Sequence, residues 1–179
     1  WMFGTGLGSF PRTYLWKGPA DHQPATFAFA TEQGNTFLRM GVGETLYVAQ
    51  RVAVDGGGAY RLSLDLRSRD SAAALSTPLC EKQLLNSRRC DWNQFSVPGD
   101  GQWHRVTREF PAATVGHGPA WHHLPVELYF HNTGKAGVLD IARVSLLDSQ
   151  GRELVGNGDF ARGSDFWFFK TKSHLPWHV

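Results

Sequence analysis

What is scarce in these 179 residues narrows the field first. Cysteine and methionine occur twice each. No apolar run approaches the roughly 20 residues a membrane-crossing helix needs, and no segment sustains a 3.6-residue period. The G-x-S-x-G elbow, the phosphate-cradling glycine loop and the paired-cysteine zinc signature are all missing, which removes three common classes of catalytic or cofactor site. Charge is scarce too. Charged residues make up 19% and the formal net charge is +2 with His neutral. That balance lacks the basic footprint of a nucleic-acid binder.

The two cysteines, Cys80 and Cys90, bracket a polar, basic segment with no metal-type spacing. A disulfide closing this short loop is the simplest reading and contributes about 3 kcal/mol by constraining the unfolded chain. It would place the chain in an oxidising compartment, the periplasm or the cell exterior. Two free thiols in a cytosolic protein are the alternative. With 179 residues, 41% of them hydrophobic, one domain can bury a core without needing a metal. The chain opens at Trp1 rather than Met, and we expect it to be a piece of a longer protein.

Glycine (20) and tryptophan (seven) are plentiful, and aromatics reach 13%. Three zones follow: a Gly- and aromatic-rich stretch over 1–24, successive strands over 25–147, and a return to Gly and aromatics over 148–179. In the middle zone Thr26–Ala30 and Thr36–Met40 flank the turn-like Glu32-Gln33-Gly34-Asn35. Leu46 to Val54 runs into Asp55-Gly56-Gly57-Gly58. Tyr60, Leu62, Leu64 and Leu66 alternate with Arg61, Ser63, Asp65 and Arg67, the period of a half-buried strand. Further strands are expected at Trp92–Val97, Trp103–Phe110, Val126–His131 and Val138–Leu146, and at most a helical turn within Leu75–Leu85. Many short strands with turns at this spacing predict an all-β, antiparallel β-sandwich.

Gln50, Val52 and Val54, then Tyr60, Leu62, Leu64 and Arg67 after a Gly turn, resemble the "Q-x-V-x-V … Y-x-L-x-L" succession of galactose-binding-like jelly-roll carbohydrate-binding modules. Gln102–Val106 and Leu139–Leu146 are similar to that family's later strands. Asn157-Gly158-Asp159-Phe160, with Gly163 and Trp167, matches a hallmark that opens such modules, whereas here it follows the strands. Either the first strand is rearranged or this segment packs outside the sandwich. The resemblance implies glycan binding, with sugar rings stacked on exposed aromatics and polar groups taking the hydroxyls. Candidates are Trp92, Trp103, Trp121, His122, His123, Tyr129 and His131, with Asn132 nearby. Strand alternation puts Glu127, Tyr129 and His131 on one face and Leu128 and Phe130 on the other. Tyr129 is thus either a platform or a core residue, and most of the tryptophans can equally be core. By family analogy Asp140 would be a ligand of a structural calcium; no other cofactor is expected. His117, His122 and His123 lack the carboxylates and helix of hydrolytic zinc motifs, so a solvated loop is the plainer reading and no metal site is expected.

The ends point elsewhere. Phe3-Gly4-Thr5-Gly6-Leu7-Gly8-Ser9-Phe10 with Tyr14 resembles the "G-x-G-L-G-x-F…Y" segment that begins a periplasmic loop in bacterial O-antigen ligase and polymerase membrane proteins. Ser173-His174-Leu175-Pro176-Trp177-His178 is similar to the His-rich stretch that closes that loop, although it departs from the common H-x-H-N form. Aromatic clusters at both ends suit a membrane–water interface, or an ordinary second core. The resemblance implies a jelly roll inserted in the periplasmic loop of such a protein, tethered through flanking transmembrane helices at the bacterial inner membrane. There His178, or failing it His174, would be a general base, and Arg12 and Arg39 would face phosphate. The isolated domain would not be an enzyme. A protein-contact sandwich is the competing reading, and a free-standing hydrolase or lyase a third.

Overall fold

Alternating apolar and polar side chains pair into antiparallel ladders through the described part of the chain. The computed structural model describes residues 27–42, 46–83, 86–117, 123–171 and 176–177. Its strands are β1 (Phe27–Glu32), β2 (Asn35–Met40), β3 (Leu46–Val52), β4 (Tyr60–Ser68), β5 (Ala73–Ser76), β6 (Leu79–Gln83) and β7 (Asn86–Asp91), then β8 (Gln94–Val97), β9 (His104–Phe110), β10 (Val126–Asn132), β11 (Leu139–Asp148), β12 (Phe168–Thr171) and β13 (Pro176–Trp177). No helix occurs among the described residues.

One sheet runs β1-β2-β11-β4-β9. Its first hairpin turns on Gln33 and Gly34, both at positive φ (50° and 78°), the geometry whose twist matches that of the strands. The other sheet runs β13-β12-β3-β10 and divides along β10. The N-terminal half of β10 pairs with β6, and its last two residues pair with β5, which pairs with β8. β6 returns as β7 with Cys80 opposite Cys90, and the two are joined by a disulfide. Where the sequence suggested a helical turn, β5 and β6 stand instead. Pro78 interrupts the run, while Leu75 and Leu79 both reach the core.

Leu62, Leu64, Leu66, Leu139 and Ile141 of the first sheet meet Val48, Leu75, Leu128 and Phe130 of the second in a fully buried layer. The hallmark segment after β11 plugs the end of this layer. Gln50 of β3 holds Gly156 at both ends, accepting from its N–H at 2.6 Å and donating to its carbonyl at 2.8 Å. Asn157 donates to the carbonyls of Gly163 and Asp165, accepts from the Arg162 N–H, and its own carbonyl accepts from the Trp167 indole at 3.0 Å. Phe160 and Trp167 drop into the core, and β12 then adds to the open edge of β3. Phe27, at the start of β1, stacks on Phe169 of β12 with ring centroids 3.9 Å apart.

The outer face of the first sheet is charged. Asp140, 1% exposed, accepts from Arg39 at 2.7 and 3.0 Å and from Arg67 at 3.0 and 2.6 Å. Glu32 also accepts from Arg67 and Arg69. Arg67 lies over the rings of Trp103 (4.4 Å) and Phe37 (5.0 Å). The calcium expected at Asp140 does not fit. Both carboxylate oxygens already receive guanidinium groups, and the surrounding positive charge repels a cation. Arg39, expected to face phosphate, is committed to this same ion pair.

Three outcomes test these contacts. A Cβ at Gly158 would lie 2.0 Å from the Val144 carbonyl oxygen, so Gly158→Ala should destabilise the domain by about 3 kcal/mol in urea unfolding. Asp140→Asn leaves two guanidinium groups without their carboxylate and should lower stability by about 3 kcal/mol or more. Removing the exposed Arg61–Glu109 pair should change stability by less than about 1 kcal/mol. Equal effects from the two ion-pair changes would contradict the burial argument.

Candidate functional site

The outer face of the second sheet gathers the polar side chains that the fold buries without giving them to the core. β10 is central, so its outward residues Glu127, Tyr129 and His131 stand between β3 and the β5–β6 side. β3 presents Tyr47, Ala49 and Arg51 in register beside them, and β12 adds Phe168 and Lys170 beyond. Ala49, Cys80 and Tyr129 form a second, smaller apolar cluster here, with Tyr47, Cys90 and Phe168 packed against it. Ala49 matters through its size. On this face of β3 only the Ala49 methyl group lies between Phe168 of β12 and Tyr129 of β10, both in register with it.

Lys170 Nζ donates to Glu127 Oε2 at 2.6 Å and approaches the Tyr129 hydroxyl at 3.5 Å, and that hydroxyl also donates to Glu127. Lys170 lies over the rings of Phe168 (4.6 Å) and Tyr129 (5.3 Å). Lys82 of β6 approaches the Tyr129 ring at 5.5 Å and donates to Ser87 Oγ at 3.1 Å. Burial, then the bond to Glu127, pushes the Tyr129 phenol far above its ordinary range. Burial lowers the Lys82 ammonium, and the neighbouring Lys170 charge lowers it further. Burial alone raises Tyr47 and lowers His131. His131 packs on Tyr47 at 4.8 Å, and its Nδ1 is buried without a hydrogen-bond partner. The imidazole is therefore held neutral at physiological pH.

A cleft of about 320 Å³ opens on this face, floored by Tyr129 and the disulfide and walled by Tyr47, Pro78, Asn86 and Ser87. Trp92, 68% exposed, stands at its rim. An aromatic floor, an exposed indole and several hydrogen-bonding groups together suit a polar ligand with apolar faces.

The fold separates the residues that the sequence suggested for glycan binding. Trp92, Tyr129 and His131 share this face. Tyr129 lies in its floor, only 4% exposed. Trp103 lies on the other sheet against Arg67 and Phe37. His123 is exposed just before β10. His117 lies against the Gly56–Gly57 turn and hydrogen-bonds Ala113 O. Trp121, His122, His174, His178 and Arg12 lie outside the described residues. No group of three or more His, Cys, Asp or Glu poised to hold a metal occurs among the described residues. Lys82, Lys170 and Tyr47 were not singled out from sequence. Reading Phe168–Thr171 as a strand with Phe169 inward would have turned Lys170 to this face, and β6 alternation places Lys82 beside Cys80.

No family model matches the chain, and no curated protein matches it. Solved structures do. A carbohydrate-binding module of PbXyn10C, in its unliganded form, superposes with a TM-score of 0.57 at 21% identity, over 80% of this chain and 87% of that one. A family 4 carbohydrate-binding module superposes with a TM-score of 0.52 at 11% identity, over 70% of this chain and 78% of that one. The enzymatically active domain of tailspike protein 4 of bacteriophage CBA120 reaches 0.52 at 13% identity, over 70% of this chain and 18% of that one. At such identities the likeness is one of fold: this chain is an antiparallel β-sandwich of the jelly-roll kind found in carbohydrate-binding modules.

Proposed function

We propose that the domain binds a glycan in the cleft of the second sheet and is not itself catalytic. The observation that carries this is Trp92, an exposed indole at the rim of a cleft floored by the Tyr129 ring and the disulfide, with the Asn86 amide and the Ser87 hydroxyl in its walls. A pyranose offers a weakly positive C–H face to an indole and hydroxyls to Asn86 and Ser87. The fold shared with carbohydrate-binding modules supports the reading.

The finer reading keeps the expectation from the chain ends. We place the domain outside the cytoplasm, in the periplasmic loop of an O-antigen ligase- or polymerase-like membrane protein, where His178 or His174 would act only in the full-length parent. Two observations support it. The Cys80–Cys90 disulfide suits an oxidising compartment. The stacked Phe27 and Phe169 bring the first and last parts of the sandwich together, as a domain inserted into a loop requires.

On an array of bacterial polysaccharides, the wild type should bind and Trp92→Ala should lose about tenfold or more in affinity with its melting temperature unchanged. Trp103→Ala should instead lower the melting temperature and keep binding. Binding indifferent to Trp92, or lost only with Trp103, would overturn the choice of face. The state of His131 can be read by pH. Its folded pKa is depressed, so its contribution to stability is present above the unfolded value of about 6.5 and is lost as the pH falls through the folded value. Thermal melts from about pH 7.5 down to pH 5 should fall more steeply for the wild type than for His131→Gln.

A further inference from the structure

We infer, resting on the glycan reading above, that the sugar held in this cleft carries a methyl-bearing substituent, either an acetamido group or the methyl of a deoxyhexose, seated on the Cys80–Cys90 disulfide and the Tyr129 ring. The cleft divides its chemistry by side. Asn86 and Ser87, which bring an amide and a hydroxyl, both stand on β7 and are exposed. Pro78 in the wall is buried, has no N–H, and its carbonyl accepts from the Tyr129 N–H at 3.0 Å. Half-buried Tyr47 packs its ring edge-on against that of Tyr129, with centroids 6.0 Å apart. The floor offers a ligand less still. Tyr129 is 4% exposed, and its hydroxyl donates to Glu127 and is approached by Lys170 Nζ at 3.5 Å. Its polar tip is thus engaged below the cleft, and its ring is what remains. The disulfide has no proton to donate, and its sulfurs accept only weakly.

A hydroxyl pressed onto this floor gives up its water and finds no partner, whereas a methyl group there gains by leaving water. An ordinary hexose carries a hydroxyl or hydroxymethyl group at each ring carbon outside its linkages. With its ring stacked on the Trp92 indole and hydroxyls turned to Asn86 and Ser87, such a sugar would drive another polar group into the floor or leave the floor wet. An acetamido group, or the terminal carbon of a deoxyhexose, puts a methyl in that place. The acetamido N–H and carbonyl can also pair with the Asn86 side-chain amide, which both donates and accepts. The rim and the β7 wall therefore recognise a sugar, and the floor selects which sugar.

The test uses the whole domain in titration calorimetry against oligosaccharide pairs that differ only in this substituent. One arm sets chitooligosaccharides against cello-oligosaccharides, and the other an oligosaccharide ending in L-fucose against its L-galactose counterpart. The methyl-bearing member of at least one pair should bind about tenfold tighter, the discrimination one methyl group gives in an apolar pocket. The arm that does so identifies the substituent. In saturation-transfer NMR its methyl protons should take up more magnetisation than any ring proton, a readout that needs no variant. Cys80→Ser with Cys90→Ser puts hydroxyls in the floor and should bring the two members of that pair to within about threefold of each other. If the double variant fails to fold, the NMR readout decides. Every polysaccharide bound on the array should likewise contain an acetamido or deoxyhexose sugar. Equal or tighter binding of the all-hydroxyl members, or saturation strongest on ring protons, overturns the methyl inference and leaves the glycan reading standing. Folded protein that binds no member of either pair and nothing on the array overturns the glycan reading itself.

Discussion

Three carboxylates, Asp65, Asp140 and Glu127, lie almost wholly buried on outer faces of central strands, and each requires positive charge from its neighbours. The requirement follows from the sandwich. β4, β10 and β11 each have neighbours on both sides, so side chains pointing away from the core are still crowded. Apolar residues fill the inner positions, and the outer positions need partners or ligands. Asp65 takes Arg105 and Arg143, Asp140 takes Arg39 and Arg67, and Glu127 takes Lys170 across the breadth of β3. These pairs tie strands distant in sequence, and the last brings the C-terminal segment onto the middle of the second sheet.

The two outer faces resolve the same problem with different chemistry. On the first sheet arginines pair with carboxylates in forked geometry and stack on Phe37 and Trp103, an arrangement that satisfies itself. On the second, lysines supply point charges above aromatic rings, and a cleft is left beneath an exposed indole. The charges of the first face satisfy one another, and the second is the face for which we propose a ligand. This contrast, more than the fold alone, separates Trp92 from Trp103.

Much of the fold was legible in the sequence. The period of two in β4 and β10, the Gln33-Gly34 and Gly56–Gly58 turns and the spacing of Cys80 and Cys90 all have direct local causes, and the structure has strands, turns and a bridge there. The site was legible only in part. Alternation tells which side of its own strand Tyr129 occupies, but not which strand lies alongside. Pairing between β12 and β3 spans more than a hundred residues and carries no local signal, so Lys170 could not be joined to Glu127 beforehand. β5 and β6 are too short for their period to stand out around Pro78. The Asn157-Gly158-Asp159-Phe160 hallmark pointed to a rearranged or external segment. In the structure it is a loop tied by Asn157 and Gln50 that leads β12 into the sheet.

The stack of Phe27 on Phe169 has a mechanical consequence. Chain entering at β1 comes in at an edge of the first sheet, beside β12 of the second, which lies between β3 and the two-residue β13. Tension drawn through both would not shear the ladders of β4 or β10. It would part this ring pair and then unzip β1 from β2, starting at Phe27, and peel β12 together with the two-residue β13 from β3. Edges open before central strands, so the sandwich would lengthen from its seam while its middle stayed folded. Because β12 carries Lys170, the same pull would draw that cation away from Glu127 and from the Tyr129 hydroxyl.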